Sequence, residues 1–190
     1  QLYMSLLGAA IFCLLTRLDA AVYLVALQRR AAKAKNIHIK RLNAVVRWMQ
    51  RNPKKTCYGQ LPSMDTEMFM VSDAAFKKEE DSTGHALKGN AFLRKAKAHP
   101  GRWSWERSSG TLETTFEWPV HILDFVSKSQ RNVNRSTFSS ELFSGCDCVD
   151  HGMLLAIMLH QVVTGECGYT RAKQLRDDGG FAVRMSLLLD

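Results

Sequence analysis

The chain has 190 residues, 46% of them apolar, which is enough for a sizeable core and reads as globular, not disordered. Its 26 Lys and Arg against 18 Asp and Glu leave a charge of +8, and the stretch from Gln28 to Lys55 carries ten basic residues and no acid. Such a run favours a polyanion, most simply a nucleic-acid backbone, although a solvated helix face gives the same pattern. Five cysteines, Cys13, Cys57, Cys146, Cys148 and Cys167, lack the spacing of a disulfide framework and favour a reducing, intracellular compartment.

Taken in chain order, residues 1–30 place Leu6, Leu7, Ala10, Ile11 and Leu14, then Ala21, Val22, Leu24, Val25 and Leu27, at helical spacing, which predicts a helical pair. The opening "QLYMSLLGAAIFCLL" is shorter than the roughly 18 to 20 residues a bilayer span needs, so a buried helix is expected, with no membrane partner. A third helix is predicted over Ile37 to Gln50. Ile39, Leu42, Val45, Val46 and Met49 share one face, Lys40, Arg41, Arg47 and Arg51 lie largely off it, and Asn52-Pro53 ends it. Gln1 in place of a start methionine, and Asp190 directly after "MSLLL", predict an internal piece of a longer polypeptide.

From Thr66 the pattern turns to short extended runs at Met68 to Ser72, Gly84 to Arg94 and Val120 to Ser127. The stretch from Lys95 to Trp118 reads as a surface loop or hairpin insertion. After "RSTFSSE" a long helix is predicted, with Leu142, Phe143, Cys146, Val149, Met153, Leu154, Ile157 and Met158 as its apolar face and an end before Gly165. A polar connector containing Asp177, Asp178, Gly179 and Gly180 leads to a buried-strand pattern from Phe181 to Leu189. Three strands, a long helix and a further strand predict a mixed α/β layout. Within the helix, Cys146, Cys148 and His151 lack the second ligand pair of a zinc site, so the cysteines are expected in the core.

Three acids occupy positions that elements bring to their ends. Asp73 closes the first strand, Glu141 lies in the first turn of the long helix, and Asp190 closes the last strand. Singly, Asp73 serves a turn and Glu141 favours a helix dipole. If the two strands are parallel neighbours and the helix packs across the sheet, the three converge at one edge. Converging carboxylates repel unless hard divalent cations hold them, and a two-metal carboxylate site is suited to attack of water on a phosphodiester.

At these residues the chain resembles the end of a copia-type retrotransposon polyprotein, where the reverse transcriptase tail runs into its ribonuclease H domain. "YMSLLGAAIFCLLTRLDAAVYLVALQ" is similar to the family pattern through Tyr3, Ser5, Gly8, Thr16, Arg17 and Asp19, with Leu18 where proline is expected. "HIKRLNAVVRWMQ" resembles a His-containing helix that ends in an Arg-Tyr pair, here Arg47-Trp48. "VSDAAF", "ILDFVSKSQRNVNRSTFSSELF" and "MSLLLD" look like the segments that carry the acidic ligands, with Phe138 in place of a threonine and Ser140 in place of an alanine.

The resemblance implies a ribonuclease H-like mixed sheet with a long helix over 66–190, incomplete at its C-terminus, preceded by the helical end of a reverse transcriptase over 1–60. It implies metal-ligand and catalytic roles for Asp73, Glu141 and Asp190, with Mg²⁺ as the ion and Mn²⁺ as its substitute. Asp147 and Asp150 fall further along the helix and are not expected to replace the fourth ligand. Arg29, Arg30, Lys33, Lys40, Arg41, Arg47 and Arg51 are expected to hold the phosphates of an RNA–DNA hybrid without reading sequence. The parent polyprotein is expected to be an enzyme and the 190 residues alone inactive. The competing reading is a non-catalytic relic or domesticated fragment that binds nucleic acid through 28–55 and ignores metal.

Overall fold

The computed structural model describes residues 2–54, 56, 58–61, 65–75, 85–97, 102–108, 111–117, 120–133, 136–165 and 167–189. The chain divides into two compact units, Gln1–Cys57 and Tyr58–Asp190.

The first unit is helical: α1 (Leu2–Phe12), α2 (Ala21–Gln28) and α3 (Asn36–Arg51), with single 3-10 turns at Cys13–Leu15, Leu18–Ala20 and Ala31–Lys33. The predicted helical pair is present, interrupted where Arg17 leaves helical backbone and binds side chains instead. Its guanidinium donates twice to Asp19, Nε to Oδ1 at 2.9 Å and an amino group to Oδ2 at 3.1 Å, and once to the Met49 carbonyl at 3.1 Å. It also lies over the Trp48 ring, 5.5 Å from the centroid. A planar fork that binds carboxylate and carbonyl while covering an aromatic face is a role lysine cannot fill. The Tyr3 hydroxyl donates to the Leu27 carbonyl at 3.0 Å and ties α1 to the end of α2. The Lys35 side chain has no acceptor for a cap, so its carbonyl takes the His38 N–H at 2.8 Å. At the start of α3 its backbone N–H donates to His38 Nδ1 at 2.9 Å. Leu42 is the buried centre of α3, with Ile39, Val45, Val46 and Met49 half-buried around it, as the periodicity predicts.

The second unit is α/β. β1 (Thr66–Ala75), β2 (His85–Ala96), β5 (Val120–Val133) and β6 (Arg184–Leu189) form a mixed sheet in the order β5-β2-β1-β6. β1 pairs antiparallel with β2 from Thr66↔Ala96 to Ala75↔Leu87, and β2 antiparallel with β5. β1 runs parallel to β6 from Glu67↔Arg184 to Ser72↔Leu189. β3 (Arg102–Ser108) and β4 (Thr111–Glu117) make a separate two-stranded antiparallel ladder, so the insertion is a hairpin. In β1 the alternation buries Thr66, Met68, Met70, Ser72 and Ala74, and against this face lies α4 (Thr137–Thr164). Met68, Met70, Phe92, Cys148, Ala156 and Val183 form the core. Burying each of the larger side chains stabilises by about 1.5–3 kcal/mol.

α4 starts on Ser136, whose side chain accepts from the Ser139 N–H at 3.1 Å, and stops at Gly165, whose φ of 94° suits a residue without a Cβ. Its orientation corrects the sequence expectation. Ser140, Ser144, Gly145, Cys148, Gly152, Ala156 and His160 are buried, whereas Leu142, Phe143, Cys146, Val149, Leu154 and Met158 are exposed. The reason is steric. A Cβ on Gly152 would lie 2.1 Å from Met70 Sδ, so the helix meets the sheet through its small residues and the sheet supplies the bulk. By length and composition α4 is apolar enough to cross a bilayer, a property that core helices share, and its small-residue stripe is packed on the sheet.

The polar connector contains a helix, α5 (Tyr169–Asp178), held by fully buried Leu175 and stopped by Gly179 and Gly180 at φ 78° and 85°. The last strand begins at Arg184, not Phe181. Of the two helix cysteines expected in the core, Cys148 is buried and Cys146 is not. Cys13 and Cys146 are exposed, Cys167 is half-buried, and Cys57 lies outside the described residues.

Candidate functional site

Asp73 is the eighth residue of β1, exposed between buried Ser72 and Ala74. Glu141 sits just beyond the first turn of α4, not within it. The Ala74 N–H donates to Glu141 Oε1 at 3.3 Å, so Glu141 is tied to the backbone of the residue that follows Asp73. Asp190 lies outside the described residues. Leu189, the last described residue, is in register with Ser72, immediately before Asp73. Two of the three predicted acids are therefore brought to one end of β1.

Behind them lies a polar cluster that the sequence reading did not single out. Ser72 Oγ is 2.8 Å from Ser144 Oγ, and both hydroxyls lie 3.0 Å from Asn90 Oδ1. Ser144 Oγ also reaches the Asp73 carbonyl at 3.2 Å. Ser72, Asn90 and Ser144 are all buried. One turn back on α4, the Ser140 carbonyl accepts from buried Gln130 Nε2 at 2.7 Å. The available signal was alternation. Ser72 and Asn90 fall in the buried alternation of β1 and β2, beside Met70, Ala74 and Phe92 and with polar Thr66 and Lys88.

Further along α4, Asp147 pairs with the buried Lys88 ammonium. His151 Nε2 lies 2.8 Å from Asp124 Oδ2, and its ring stacks on Phe92 at 4.6 Å between centroids. A cavity of about 420 Å³ opens between α4, β2 and β5, lined by Lys88, Lys128, Gln130, Asp147, Asp150 and His151 among others. Asp147 and Asp150 thus serve this cavity. Cys146 and Cys148 take different sides of the helix. Burial pushes the Cys148 thiol up to about 11, which keeps it protonated and unreactive.

Among the described residues no three His, Cys, Asp or Glu side chains gather closely enough to hold a metal ion. The test of fit therefore rests on Asp73 and Glu141, two hard oxygen donors. Mg²⁺ is commonly held by one or two carboxylates, with water and substrate phosphate completing its shell, and Asp73 and Glu141 are donors of that type. In the helical unit Arg29, Arg30, Lys33, Lys40, Arg41, Arg47 and Arg51 are all exposed. Neither a family model, nor a curated protein, nor a solved structure matches the chain.

Proposed function

We propose that the chain is part of a copia-type retrotransposon polyprotein, and that its α/β unit is a ribonuclease H-type domain which hydrolyses the RNA strand of an RNA–DNA hybrid. One observation carries the reading: β1 and β6 are parallel neighbours, α4 packs across the sheet, and Glu141 is bonded beside Asp73. This is the arrangement that three converging acids on those elements require. Asp73 and Glu141, with Asp190, are the residues that would hold Mg²⁺ or Mn²⁺. When bound, the ions supply the charge that prepares a water nucleophile and stabilises the leaving oxygen of the phosphodiester. The chain's own part is to hold its carboxylates in place, Glu141 through the Ala74 N–H.

The exposed basic residues from Arg29 to Arg51 act on this reading as a phosphate-binding surface for the hybrid, within the cell and away from membranes. The test is hybrid cleavage by the parent polyprotein with Mg²⁺. Asp73→Asn and Glu141→Gln should each abolish it, and wild-type cleavage by either variant overturns the assignment.

A second reading draws on the basic surface alone: a relic that binds nucleic acid without metal. Its binding would ignore EDTA and fall steeply with salt, with a log–log slope approaching about −6 if all seven cations meet phosphates.

A further inference from the structure

We infer that Ser144, packed against Ser72 and Asn90, is a positioning residue for Asp73, an inference that rests on the nuclease reading for its purpose but not for its geometry. The two serine hydroxyls together have two protons to place among four contacts. The arrangement that keeps the Asp73 carbonyl engaged has Ser144 donating to it, while Ser72 donates to Asn90 Oδ1 or to Ser144 Oγ. Three buried polar side chains beside Met68, Met70, Phe92 and Cys148 are a costly choice over apolar ones unless satisfied together.

Their placement gives them a use. Ser144 lies three residues after Glu141, on the same side of α4, and β1 is bonded to the helix through both polar groups of one peptide. Ser144 takes the carbonyl of Asp73, and Glu141 takes the N–H of Ala74. These two groups belong to one peptide unit, the plane that joins Asp73 to Ala74, so clamping both ends fixes its rotation and with it the direction of the Asp73 Cα–Cβ bond. Asn90, on the strand antiparallel to β1, accepts from Ser72, which leaves the Ser144 proton for the Asp73 carbonyl. A carboxylate whose backbone is held at both ends loses little conformational freedom on taking up a cation, which is how outer partners commonly add tenfold to a hundredfold in metal affinity.

Ser144→Ala and Ser144→Cys in the full 190-residue chain test this, with Asp73→Asn as the control for metal. The first readout is amide hydrogen exchange at Ala74. Ser144→Ala should raise its exchange at least tenfold above the mean change for the other β1 amides, and the isosteric Ser144→Cys should recover part of the protection. Unchanged or uniformly altered protection across β1 overturns the clamp, since a merely structural role would loosen the strand as a whole. The second readout is Mn²⁺ binding followed by electron paramagnetic resonance, where Ser144→Ala should weaken the Asp73-dependent site about tenfold. Equal affinity in Ser144→Ala and wild type overturns the positioning role. Mn²⁺ binding unaffected by Asp73→Asn counts against the nuclease reading itself, and the exchange result then decides the clamp by itself.

Discussion

Helices α3 and α4 were predicted by the same device, apolar residues recurring every three to four positions, yet they obey it in opposite ways. In α3 the stripe centred on Leu42 faces inward and Lys40, Arg41, Arg47 and Arg51 face out. In α4 most of the stripe faces out, Leu154 at 64% and Met158 at 62% exposed with Met153 and Ile157 half-buried, and small residues face the sheet. The difference lies in the partner. Against other helices α3 supplies its own bulk, whereas α4 meets a sheet face already filled by Met68, Met70 and Phe92. A helix on such a face packs best with glycine, alanine, serine and cysteine at the contact.

The sharpest way to break this comparison is to exchange the two designs. Leu42→Ala should cost the helical unit about 3 kcal/mol in urea unfolding followed by circular dichroism, because the site is fully enclosed. In α4 the opposite change is the damaging one. Gly152→Val should cost about 2–3 kcal/mol through collision with Met70, and less in a Met70→Ala background, with a coupling of about 1 kcal/mol. If valine is accepted at position 152 without loss, the Met70 side chain turns aside and the glycine does not set the approach of α4 to β1.

Much of this architecture was legible. Period-two alternation found β1, β2 and β5, and period 3.6 with a Ser-rich start and Gly165 found α4. The candidate site was legible as residue types at element ends, Asp73 and Glu141, because strand and helix termini could be read locally. Three things were not. The buried face of α4 depends on bulk contributed by strands more than fifty residues away. α5 hides in a polar connector because a single apolar residue, Leu175, anchors it. The Ser72, Asn90 and Ser144 cluster has meaning only once β1, β2 and α4 are brought together, since no local pattern marks a serine that bonds a carbonyl 71 positions away.

A smaller effect sharpens the account of the helical unit. Hydrogen bonding from Arg17 holds the Asp19 carboxyl below its ordinary value, against the opposing pull of partial burial. Because the folded value lies below the unfolded one, near 3.9, the unfolded chain binds the extra proton in acid. The contribution is fully present above the unfolded value and is lost as pH falls through the folded one. Asp19→Asn should therefore flatten the acid limb of the stability–pH curve. At pH 7 it should cost only about 1 kcal/mol, since the Asp19 side chain is 26% exposed. An acid limb unchanged by the substitution would remove Asp19 from the account and leave Arg17 to its contacts with Met49 and Trp48.

The smallest expected effect bears on the outward face of α4. Leu154→Gln, Met158→Gln and Val162→Gln replace apolar side chains that are 64%, 62% and 81% exposed, so each should change stability by less than about 0.5 kcal/mol. The value of the measurement lies in its contrast with Gly152, where a far smaller side chain is being altered. Helical periodicity by itself predicts the reverse ranking, with severe losses at Leu154 and Met158 and tolerance at the glycine. A loss above about 2 kcal/mol at Leu154 or Met158 would mean that this face is covered in solution, and that the sequence pattern was reporting a real contact surface on the far side of the helix from the sheet.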